Sequence, residues 1–83
     1  MMLTSGQVRA ARALLDWSQM KLADESGVSL ATIRRIESDR GPDRSTGPNL
    51  EAIQRALESG GVVFISNDNK GGEGVRIKRQ GSA

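Results

Sequence analysis

Only three residues, Gly27-Val28-Ser29, separate two short segments whose apolar residues recur at helical spacing, and this connection limits the possible folds more than any other feature. Before it, Ser18 is placed to cap a helix over 19–26 with Met20 or Leu22 and Ala23 turned inward. After it, Ser29 caps a helix running to about Ser38, with Ile33 and Ile36 on the buried side. Gly27 has no Cβ and accepts the left-handed conformation that stops the first of these helices. So short a link forces the two helices to a tight angle, as in a helix-turn-helix unit.

The rest of the chain supplies elements to pack around that unit. Over 5–15 the positions Val8, Ala11, Leu14 and Leu15 repeat at three- and four-residue intervals, which predicts a helix capped by Thr4 or Ser5. Between Ser38 and Pro48 there are two prolines, two glycines and no aliphatic residue, so this stretch is expected to be a loop. Asn49 then caps a fourth helix with Leu50, Ile53 and Leu57 on one face, and Gly60-Gly61 ends it. Val62-Val63-Phe64-Ile65 and Val75-Arg76-Ile77-Lys78 have strand character, and the turn-forming residues between them make a hairpin. The expected fold is mainly α: four helices over residues 1–61, a C-terminal β-hairpin over 62–79 and a frayed tail over 80–83.

Composition narrows the chemistry. The 83 residues contain no Cys and no His, which removes disulfides, Cys/His metal sites, thiol nucleophiles and histidine-based catalysis. No enzyme activity, metal or cofactor is expected. The longest apolar run, residues 62–65, falls far short of the ~18 residues that span a bilayer, and no apolar signal segment follows Met1, so a cytoplasmic protein without membrane contact is expected. Gly71-Gly72-Glu73-Gly74 is not a phosphate loop, because neither Lys-Ser/Thr nor a helix follows it. The net charge is only +2, but the basic excess is local: residues 29–48 hold four Arg against three acids, and 70–83 carry a net +3.

The ordered string Arg12…Gln19-x2-Leu22-Ala23-x3-Gly27-Val28-Ser29-x2-Thr32-Ile33-x2-Ile36-Glu37, followed by Leu50-x2-Ile53-x3-Leu57, resembles the XRE family of phage-repressor-like, Cro-type helix-turn-helix regulators over residues 5–60. The resemblance implies binding of double-stranded DNA. It further implies that Gln19 contacts a phosphate, and that Arg12 and Glu37 form a structural ion pair between the first helix and the end of the third. Helices of this motif enter the major groove N-terminus first, which makes Leu30, Ala31, Arg34 and Arg35 the candidates for base contact. Ser29, Thr32 and Ser38, with Arg40 and Arg44 in the following loop, are the candidates for backbone contact. Two departures stand out. Asp39 occupies a position where many members have Gly, and Leu30 and Ala31 replace polar side chains, which shifts specificity toward the two arginines and DNA shape.

One such motif covers only half a site, and an isolated two-stranded hairpin is marginal in water. A homodimer on an inverted repeat is therefore expected, with Val62, Val63, Phe64, Ile65, Val75 and Ile77 at its interface and Arg76, Lys78 and Arg79 near its axis. The alternative is an antitoxin-like or antiactivator protein whose main partner is a second protein.

Overall fold

The computed structural model describes residues 2–42 and 47–79. Among them the chain forms α1 (Ser5–Leu15), α2 (Gln19–Ser26), α3 (Leu30–Ile36), α4 (Gly47–Gly60), β1 (Val62–Ile65) and β2 (Gly74–Ile77). This is a mainly α fold of four helices followed by a two-stranded antiparallel sheet, as the sequence predicts.

Local hydrogen bonds explain where the first helices begin and end. At the start of α1, Thr4 Oγ1 accepts from the Gln7 N–H at 3.1 Å while Gln7 Oε1 accepts from the Thr4 N–H at 2.9 Å, a reciprocal capping box. Asp16 closes the helix in the left-handed region at φ 58°, a conformation a short polar side chain tolerates. Ser18 and Ser29 cap α2 and α3 by accepting from Lys21 N–H and Thr32 N–H. Gly27 between them sits at φ 76°.

Two helix boundaries differ from expectation. α3 ends at Ile36 with Glu37 as its cap, and Ser38 instead opens a turn in which the Gly41 N–H donates to the Ser38 carbonyl at 2.9 Å. The left-handed residue of this turn is Gly41, at φ 68°, so Asp39 is not required to take the conformation for which glycine is suited. α4 begins at Gly47, so Asn49 lies inside the helix and is not its cap. Pro48 fits the first turn because its missing N–H would have had no intrahelical carbonyl there.

The strands pair Val62 with Ile77, Val63 with Arg76, Phe64 with Val75 and Ile65 with Gly74. β2 is thus displaced by one residue from the predicted 75–78, and Lys78 beyond it donates its N–H to the Gly61 carbonyl at 2.7 Å. The connecting loop is organised by Asp68, whose Oδ1 accepts from the N–H groups of Lys70 and Gly71.

One core joins helices and hairpin: Leu3, Val8, Ala11, Leu22, Val28, Ile33, Ile36, Leu50, Ile53, Leu57 and Val62, with Phe64 and Val75 packed against it. Leu22 is the inward residue of α2, and Met20 is 56% exposed. Leu14 is also exposed, because it lies off the Val8–Ala11–Leu15 stripe by about one residue's turn of the helix. Val62 is 2% exposed, and its side chain serves this chain's own core.

Candidate nucleic-acid interface

α3 is held from behind and open in front. Ile33 and Ile36 are completely buried, which fixes its inner face against the core. Ala31, Arg34 and Arg35 on the opposite side are exposed, and Leu30 and Thr32 are half-buried. Neither arginine has an ion-pair partner among the described residues. At the N-terminal end, the Ser29 hydroxyl accepts from the Thr32 N–H and donates to Thr32 Oγ1 at 2.9 Å.

The C-terminal end of α3 is gripped by α1. Arg12 meets Glu37 through two parallel bonds, Nε to Oε2 and Nη2 to Oε1, both 2.8 Å. The Glu37 side chain is only 4% exposed and that of Arg12 is 20% exposed, so both charges are largely removed from water. The hydrogen bond to Glu37 and then its negative charge hold the Arg12 pKa above the ordinary arginine value, against the opposing effect of burial. Arg12 Nη1 also donates to the Trp17 carbonyl, tying the α1–α2 corner to the same pair. Gln19 Nε2 donates to Glu37 Oε1 at 3.2 Å, so this half-buried amide rests on the ion pair from α2.

Sequence inspection missed two further contacts of this grip. Arg9 Nη1 donates to the Glu37 carbonyl at 2.6 Å, and Ser5 Oγ donates to the Ile36 carbonyl at 2.7 Å. Ser5, Arg9 and Arg12 follow one another at four- and three-residue steps, so one face of α1 supplies all three donors. Ser5 and Arg9 satisfy carbonyls that a helix leaves unpaired at its C-terminus, Arg12 holds the Glu37 carboxylate beside them, and the two cations suit the negative end of the helix dipole. The available signal was Arg9 one turn before Arg12, but its partner lies 28 residues away.

Beyond the buried Glu37, residues Ser38, Asp39 and Arg40 are exposed. Ser38 Oγ donates to the Arg35 carbonyl at 2.6 Å and accepts from the Arg40 N–H, which shapes the turn carrying the Arg40 side chain. Arg44 lies outside the described residues. No group of three or more metal-ligating side chains comes together among the described residues.

A family model for the helix-turn-helix domain, HTH_3, matches residues 8–61, well over half of the chain. The chain belongs to the XRE-type helix-turn-helix family. Such domains bind DNA in transcriptional regulators and are typically non-catalytic. No curated protein matches the chain in sequence. No described helix of this helix-turn-helix protein is long and apolar enough to cross a membrane.

Proposed function

We propose that this helix-turn-helix protein is a sequence-specific regulator of transcription that binds double-stranded DNA as a homodimer on an inverted repeat. The observation that carries the proposal is α3 itself, with Arg34 and Arg35 exposed on the side opposite the buried Ile33 and Ile36. An outward arginine on such a helix can bond O6 and N7 of one guanine together, and Leu30 and Ala31 can meet thymine methyl groups. Gln19, Ser29, Thr32, Ser38 and Arg40 are assigned to the DNA backbone, and Arg44 joins them by its place in the loop sequence. A glutamine amide has two N–H donors, so Gln19 can serve Glu37 with one and a phosphate with the other. Two copies would read half-sites about one helical turn, ~34 Å, apart.

Selection of random DNA by the purified protein tests this directly, and enrichment of a symmetric site is the expected result. On that site Arg35→Ala weakens binding by about 1–3 kcal/mol and relaxes preference at one base pair per half-site. Gln19→Ala weakens binding to all sequences alike. An unchanged site preference in Arg35→Ala, or a reordered one in Gln19→Ala, contradicts the roles assigned here. No DNA binding even at low salt would favour the alternative of a protein-binding module.

A further inference from the structure

The sheet has only two strands, so among the described residues each strand has one edge with no neighbouring strand. Such edges are templates for pairing, and proteins protect them with charges, prolines or bulges. The two edges differ sharply in this respect. β2 and the residues beyond it carry Arg76, Lys78 and Arg79, whereas no charged residue or proline occurs from Ser59 to Asn67, the whole neighbourhood of β1. Pairing in β1 is also regular, with four successive partners and no bulge.

We infer that the second copy of this chain pairs along β1, giving a continuous four-stranded antiparallel sheet ordered β2-β1-β1-β2 across the two-fold axis. This inference rests on the homodimer proposed above and specifies its interface. Two-fold pairing along β2 would bring Arg76 opposite or diagonal to its own copy, where like charges repel. Pairing along β1 brings only apolar side chains together. It also separates the two β2 strands by three inter-strand spacings, roughly 14 Å, which exceeds the screening length of about 8–10 Å at ordinary salt. Arg76 and its neighbours therefore lie a strand away from the axis, not beside it.

The alternation of side chains fixes the register further. Val62 and Phe64 must keep packing on their own helices, so the outward residues of one β1 face the outward residues of the other. Val63 consequently stands opposite the second copy's Val63 or Ile65. Both positions are exposed in the single chain, at 36% and 38%. Ile77 is 46% exposed, but it pairs with Val62 and so lies on the sheet face opposite Val63 and Ile65, outside this contact.

Because the chain has no cysteine, single cysteines report on this arrangement without background. Full-length Val63→Cys, Ile65→Cys and Arg76→Cys proteins are oxidised mildly, each alone and the first two also mixed with each other, beside sedimentation of the unaltered chain at micromolar concentration. The expected result is a sedimenting dimer that is largely disulfide-linked in Val63→Cys alone, in Ile65→Cys alone or in their mixture, according to register, with little linking of the Arg76→Cys protein. A sedimenting dimer in which Arg76→Cys cross-links as well as or better than the β1 variants, or in which none cross-links, overturns the β1 edge and leaves the homodimer standing. A sedimenting monomer overturns both.

Discussion

Truncating Arg12 to Ala leaves the Glu37 carboxylate, 4% exposed, with the Gln19 amide as its one side-chain partner among the described residues. Breaking a buried pair by removing one member costs about 3–5 kcal/mol, while replacing both members with apolar residues of similar size is often neutral. Arg12→Ala is therefore expected to lower the urea midpoint steeply, and Arg12→Met with Glu37→Leu to recover most of the loss. If the double variant is as unstable as the single one, the carboxylate's desolvation is not the source of the cost. The raised pKa of Arg12 fixes the sign of its pH dependence. A folded-state value above the unfolded one gives a contribution that is full below the unfolded value and lost as pH rises from there through the folded value, in strong alkali. The arginine side of the pair therefore does not titrate through neutral pH.

Among the elements, α4 shows how a poor helix former can be required at a helical position. Alanine is favoured over glycine in helices by about 1 kcal/mol, yet a Cβ at Gly60 would lie 2.8 Å from Trp17 Cζ2 and 2.9 Å from Leu15 Cδ1. The neighbours are the indole ring and a partly buried leucine that close the α1–α2 corner over the end of α4. Overpacking of this kind costs about 1–3 kcal/mol. Gly60→Ala is accordingly expected to lower the thermal midpoint, and a rise would mean that Trp17 moves aside freely. Lys21 stacks 5.7 Å from the Trp17 ring and adds a cation–π contact from α2 that helps hold the ring in place.

At the scale of the whole molecule, the hairpin and the helices are coupled through Gln7. This residue is 3% exposed, and its Nε2 donates to the Ile65 carbonyl at 3.3 Å and the Gly74 carbonyl at 3.1 Å while its Oε1 holds the α1 cap. α1 in turn grips the end of α3 through Ser5, Arg9 and Arg12. One helix, α1, thus contacts both the hairpin and the C-terminal end of α3. Burying a valine as Val62 is buried contributes about 1.5–3 kcal/mol, against a total stability of about 4–12 kcal/mol for a chain of this size. Ending the chain at Gly61 removes Val62, Phe64, Val75 and the acceptors of Gln7 together. The shortened protein is expected to lose its cooperative thermal transition by circular dichroism. Retention of a sharp transition near the full-length midpoint would show that the helices form a separate folding unit.

Capping signals decided the elements whose causes are local. α1 and α2 have the predicted bounds because Thr4, Ser18 and Gly27 act on groups within about four residues of themselves, a range visible in sequence. The periodic positions of α3 and α4 likewise placed Ile33, Ile36, Leu50, Ile53 and Leu57 in the core. Competing local signals hid the start of α4, where Pro48 and Asn49 can each open a helix and the fold begins it at Gly47. In β1 every residue is apolar, so no contrast between faces existed to be read, and packing alone put Val62 inside and Val63 outside. The hold of Ser5 and Arg9 on α3 spans some thirty residues and depends on the angle between two helices, which only tertiary packing sets. The presence of the helices and the outward arginines of α3 are legible in the sequence because they follow from neighbours along the chain. Tertiary structure decided how rigidly that helix is held and which strand residues remain outside, because both depend on surfaces distant segments bring together.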